Sequence, residues 1–131
     1  MTATQRTLNL LRKQGYFPWI VEKFNGFSGR RTDLFNIIDI LVLTPKRVIG
    51  VQSTGVDFSG HKKKLLIDEQ RNTIHWLSTK GNDLFIIGWR KTKLKRLGKR
   101  FIYKPRIGRI TLENNNLFFQ EMDSPWLRKT K

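Results

Sequence analysis

Residues 33–43, followed by 48–54, constrain the fold of this chain more than any other segment. Two strongly apolar runs are joined by Thr44-Pro45-Lys46-Arg47, where Pro45 suits the second position of a tight turn. The pattern predicts a hairpin with strands at about 35–43 and 47–53. An acid, Asp39, lies between Ile38 and Ile40 in the first run, and an amide, Gln52, lies near the end of the second. A carboxylate among aliphatic side chains is costly to bury unless hydrogen bonds or a metal compensate it. Asp39 is therefore read as a site residue, against the plainer alternative of an acid hydrogen-bonded for structural reasons.

The flanking segments supply the remaining elements. Residues 4–14 predict a helix capped by Thr4, with Leu8 and Leu11 on one face and Gly15 ending it. Residues 16–24 predict a strand, at a sheet edge because of Pro18. Residues 25–32 read as a loop with two glycines and two arginines. A helix is expected over about 60–78, with Leu66, Ile67, Ile74 and Leu77 as its apolar stripe. The unbroken apolar run 84–89 predicts a central strand. Further strands are expected near 100–104, 107–112 and 117–121, with Asn114-Asn115-Asn116 turning between the last two. Trp19, Trp76 and Trp89 are assigned to the core. This order predicts an α/β fold, a central mixed sheet flanked by helices with extra C-terminal strands. At 131 residues the chain suits one domain, with a core over about 4–91 and a basic extension over about 92–131.

Charge narrows the partner. Twenty-six basic residues against 10 acidic ones give a formal net charge of +16. The excess is concentrated late: residues 89–131 carry 13 basic and three acidic side chains. Such a chain repels itself when compact, and a polyanion, nucleic acid before all others, is the usual reason for it. A membrane surface is disfavoured because no basic amphipathic helix with a broad apolar face is evident. No apolar run reaches the length of a membrane span and the N-terminus has no signal-peptide pattern, so a cytoplasmic location is expected, in the host cytoplasm if the chain is phage-encoded. With no cysteine and two histidines, thiolate and ordinary zinc sites are excluded. There is no P-loop or dinucleotide fingerprint, and no serine nucleophile turn.

What remains is Asp39 and Gln52 on paired strands, with Lys62-Lys63-Lys64 entering the next helix. Phosphodiester hydrolysis uses such ingredients: a carboxylate for Mg²⁺, a second oxygen ligand and a cation near the phosphate. Asp39, Gln52-Ser53-Thr54, the stretch Arg-Thr-Asp-Leu-Phe-Asn-Ile-Ile-Asp (31–39) and Gly88-Trp89-Arg90-Lys91 together resemble the PD-(D/E)XK nuclease superfamily. The likeness is to its small phage-type members and archaeal-type Holliday-junction resolvases, and it covers about residues 4–91. It implies a restriction-endonuclease-like core with the acid on the second strand and (D/E)-x-K on the third. It further implies a Mg²⁺- or Mn²⁺-dependent endonuclease acting on DNA, branched DNA included, in phage recombination or repair, and a homodimer. Gln52 stands where the second acid is expected and Thr54 where the lysine is expected. Neither Thr4 nor Gln5 supplies the acid that resolvases carry early in the first helix.

On this resemblance Asp39 and Gln52 hold the metal, with Asp33 or Glu22 adding a charge. Thr54 takes the motif position, and Lys62 or Lys64 supplies the missing ammonium. Lys62, Lys63 and Lys64 are expected to meet phosphate at a helix start, joined there by His61. Arg30 and Arg31 are expected to contact the DNA backbone, as are Lys91, Lys93, Lys95, Arg96, Lys99 and Arg100 in a segment with seven basic residues among positions 90–100. Two other readings stand beside the nuclease. One is a non-catalytic nucleic-acid-binding protein that keeps the fold, and the other an RNA-binding accessory protein.

Overall fold

The computed structural model describes residues 1–122. Trp126 and the basic tail 127–131 lie outside the described residues. A six-stranded mixed sheet forms the centre, with strands β1 (Phe17–Ile20), β4 (Ile40–Leu43), β5 (Val48–Thr54), β6 (Asn82–Lys93), β7 (Phe101–Glu113) and β8 (Asn116–Met122) adjacent in that order. Strands β2 (Lys23–Asn25) and β3 (Arg30–Thr32) form a separate two-stranded hairpin. Among the described strands only β5 and β6 pair in parallel. A parallel pair needs a crossover, and here it consists of α2 (Phe58–Lys63), a π-helical turn (Lys64–Asp68) and α3 (Gln70–Ser78). No helix among the described residues is long and apolar enough to cross a membrane.

Helix α1 (Ala3–Lys13) covers one face of the sheet and the crossover covers the other. Strand β6 accordingly serves two cores. Phe85, Ile87 and Trp89 meet Leu8 and Leu11 of α1, whereas Leu84 and Ile86 meet Phe58 and Leu65 of the crossover. Burial on both faces explains why β6 reads as an unbroken apolar run. In β5 the same alternation places Ile49, Val51 and Ser53 toward α1, and Gly50, Gln52 and Thr54 toward the crossover. Gly50 lies so close to its neighbours that a Cβ there would stand 2.5 Å from Ile38 Cδ1 and 3.3 Å from Trp76.

A buried polar chain ties α1 to the end of the sheet. Thr7 Oγ1 accepts from Trp89 Nε1 at 2.9 Å and shares a hydrogen bond with Ser53 Oγ at 2.8 Å. Thr7→Val keeps the shape but strands the indole N–H, so a loss of about 1–3 kcal/mol is expected in urea denaturation. A midpoint unchanged from the parent would show that the chain of hydrogen bonds is dispensable.

Several sequence expectations are corrected. The N-cap of α1 is Thr2, which forms a reciprocal capping box with Gln5; Thr4 lies inside the helix. Residues 16–24 divide into β1 and the start of the hairpin, so Glu22 lies between two strands. Residues 34–38 are a tight turn, with positive φ at Phe35 and Asn36, and β4 begins only at Ile40. The helix expected over 60–78 starts at Phe58 and is interrupted at Glu69. The strands expected at 100–104 and 107–112 are one strand, β7, which with β8 continues the central sheet. Asn114 and Asn115 do make the turn between β7 and β8, both with positive φ. Trp89 is buried, but Trp19, on the edge strand β1, is 65 % exposed.

Candidate metal centre and its cleft

The tight turn 34–38 creates the site. Leu34 and Ile38 pair across it, and Ile37 and Ile38 are sunk into the crossover-side core. Their flanking residues, Asp33 and Asp39, are thereby brought side by side. Val21 N–H donates to Asp39 O, which holds the segment after β1 against the start of β4 and delivers Glu22 to the same place. Carboxylate oxygens of Glu22, Asp33 and Asp39 all lie within 4.8 Å of one another.

They open into a cleft of about 580 Å³ at the end of β5. Thr4 and Ser53 line it from the α1 side, Arg30 and Arg31 from the hairpin, and His61, Lys64 and Glu69 from the crossover. Strand β5 runs past the end of β4, and this leaves the N–H of Ser53 without a strand partner. Asp39 satisfies it through both carboxylate oxygens, at 3.1 and 3.2 Å.

Gln52 is fully enclosed and orders the opposite wall. Its Nε2 donates to Ile37 O and to Asp33 Oδ2, each at 3.0 Å. Its Oε1 therefore faces the crossover, where it meets His61 Nδ1 at 2.9 Å and Lys64 Nζ at 3.4 Å. An amide oxygen only accepts, so His61 carries its proton on Nδ1 and presents Nε2 as an acceptor. Lys64 Nζ also reaches Asp33 Oδ2 at 3.3 Å. The sequence placed Gln52 among the metal ligands; in the fold its oxygen points away from the acids, and it bridges Asp33 to His61 and Lys64.

The electrostatics follow from crowding. Burial, with the Asp33 carboxylate beside it, raises Asp39 from 3.8 to about 8. Glu22 adds to the rise, while the Ser53 N–H and the Lys64 ammonium oppose it. Burial, then Lys64, holds the His61 imidazole below its ordinary range, although Asp57 and Asp33 pull the other way. The imidazole is therefore neutral at pH 7.

The three acids form a group that could hold a metal ion. Clustered carboxylate oxygens are the donors that Mg²⁺ and Mn²⁺ prefer. A cation also offsets the burial and the repulsion that raise the Asp39 carboxyl. Glu22 is shared with Arg31, whose Nη1 lies 3.3 Å away.

Other residues singled out from the sequence lie elsewhere. Thr54 is buried at the end of β5 beside Gly88 and does not line the cleft. Lys62 stands over the ring of Phe119 at 4.0 Å, and Lys63 pairs with Asp68 at 3.1 Å. The helix begins four residues before Lys62, and the Asp57 carboxylate caps it by accepting from Gly60 N–H. No phosphate is needed at that helix start, so the argument for an anion there fails. Lys91 lies over Phe101, while Lys93, Lys95, Arg96, Lys99 and Arg100 are exposed around the β6–β7 connection, outside the cleft lining. Sequence reasoning did not find the pairing of His61 with Gln52; the three-residue spacing of His61 and Lys64, which puts both on one helix face, was its signal. Comparison with protein-family models, curated proteins and solved structures finds no match to this chain.

Proposed function

We propose that this chain is a divalent-metal-dependent nuclease with a PD-(D/E)XK-like core, hydrolysing phosphodiester bonds in DNA. The observation that carries the reading is the meeting of Glu22, Asp33 and Asp39 with Lys64 in one cleft of a strongly basic chain. The order of elements supports it as well: a helix, an edge strand, an acid at the start of the next strand, an amide late in the third, and a crossover bearing a lysine. Lys64 thereby does from the following helix what a lysine at Thr54 would otherwise do.

Glu22, Asp33 and Asp39 would hold the cation, which when bound supplies Lewis-acid stabilisation at a phosphoryl oxygen and activates water. Lys64 offers its ammonium to the charge that develops on phosphate oxygens. Gln52 keeps that ammonium and the His61 ring in place. Neutral His61, with Nε2 free to accept, is placed to take a proton within the cleft. Arg30 and Arg31 bind the adjacent backbone without reading bases. Branched DNA is the substrate that the resolvase likeness favours, with a homodimer as the acting form.

One observation favours a second reading, a non-catalytic DNA-binding protein. Lys64 is paired with Asp33 and Arg31 with Glu22, so the cleft is largely self-neutralised as it stands. Incubation with linear and branched DNA in Mn²⁺ or Mg²⁺ separates the two. Cleavage by the parent, stopped by EDTA and absent in Asp39→Ala, is expected. Salt-sensitive binding by both forms with cleavage by neither overturns the enzyme.

A further inference from the structure

The hairpin β2–β3 belongs to neither core. It forms no part of the six-stranded sheet, and its six strand residues are all exposed. Its tip is nevertheless shaped by its own hydrogen bonds. Asn25 Oδ1 accepts from Phe27 N–H and Ser28 N–H, Asn25 O accepts from Gly29 N–H, and Ser28 Oγ accepts from Arg30 N–H. On this ordered tip the Phe27 side chain is fully exposed, and Phe24 behind it is 61 % exposed. Phe24 is directly opposite Arg31 in the pairing and so shares a face with it. Arg30, Arg31 and Thr32 of the same hairpin line the acid-bearing cleft.

An exposed aromatic at the tip of a cationic arm matches one kind of partner. Lys23, Arg30 and Arg31 attract a phosphate backbone, and an aromatic ring without protein neighbours offers a surface on which a base can stack. Apolar side chains also wedge between base steps where the stack is easily opened.

We propose that the β2–β3 hairpin is a stacking arm, with Phe27 taking an unpaired or unstacked base of a nucleic-acid strand whose backbone enters the cleft along Arg30 and Arg31. This rests on the nuclease reading for its choice of partner. It adds a selection that the cleft alone does not make. A strand with a free base is held at the arm and the cleft together, whereas a fully stacked duplex is held by its phosphates only.

The test uses the full chain in EDTA and two DNA probes carrying 2-aminopurine at the same position. In one probe the base is paired within a duplex, and in the other it faces a gap. The parent is expected to bind the gapped probe about tenfold more tightly, the scale of a single base–aromatic stack, and to quench its fluorescence. Phe27→Ala is expected to lose that preference while its affinity for the duplex stays within about twofold, since phosphate contacts carry duplex binding. Phe27→Trp restores the preference, and its own emission shifts on binding. A Phe27→Ala chain with the parent's melting temperature that keeps the preference overturns the arm, even where the parent cleaves DNA in Mn²⁺. A parent that binds neither probe overturns the nucleic-acid reading and the arm with it.

Discussion

Asp39→Asn is expected to abolish cleavage and, in the same protein without metal, to raise stability at alkaline pH. The first effect follows from removing the acid at the centre of the cluster. It should exceed the roughly 10²–10³-fold cost of losing one transition-state donor. The second follows from linkage. In the folded chain Asp39 is raised to about 8, whereas in the unfolded chain it returns to about 3.8. Between those values the folded state holds a proton that the unfolded state has released, so stability falls as pH rises from about 4 to about 8 and then levels off. At about 1.4 kcal/mol per pH unit, the full loss is on the order of 5 kcal/mol. Asparagine removes this dependence and still offers an oxygen to the Ser53 N–H. Urea denaturation in EDTA should show parent and variant alike near pH 4 and the variant ahead at pH 9. Mn²⁺ should close the gap at pH 9 by stabilising the parent alone. A parent equally stable at pH 5 and pH 9 would contradict the upward shift of the Asp39 carboxyl by burial and its acidic neighbours.

Lys64→Gln is expected to lower kcat by about 10²–10³-fold with a smaller change in KM, because on the proposed nuclease reading its ammonium meets charge that develops during reaction. Glutamine retains a donor that can reach Asp33, so the fold should survive. Lys62→Ala is the informative comparison. That side chain lies over Phe119, so its loss should affect stability more than turnover, by about 0.5–1 kcal/mol. Turnover that depends on Lys62 and ignores Lys64 would reverse the assignment.

The parts of the fold that were legible in the sequence are those governed by local rules. Strands β5 and β6 are apolar because helices cover both faces, and the Asn114-Asn115 turn declares itself through residues that tolerate positive φ. The segment 33–38 defeated the same reasoning. Its apolar run of Leu34, Phe35, Ile37 and Ile38 looks like a strand, yet Phe35 adopts positive φ without a glycine in sight. Tertiary burial of Ile37 and Ile38 decides its conformation, and that burial involves Phe58 and Leu65, both from the crossover. The site inherits the difficulty. Asp39 announced itself by its neighbours. The partnership of Asp39 with Glu22 and Asp33 depends on two chain reversals with no short-range signature. The choice of Lys64 over Lys62 could not be made before the start of α2 was known, since one residue of phase turns a helical side chain by about 100°.

The π-helical turn that follows Lys63 separates two demands on one crossover. Upstream, His61 faces Gln52; downstream, Trp76 packs against the crossover-side core. In an uninterrupted α-helix those orientations would be locked together by a single angular register. The wider turn acts as a phase shifter between them. Deleting the exposed Ile67 would rewind the turn and force the two halves back onto one register. The angular settings of His61 in the cleft and Trp76 in the core are thus decoupled along one crossover.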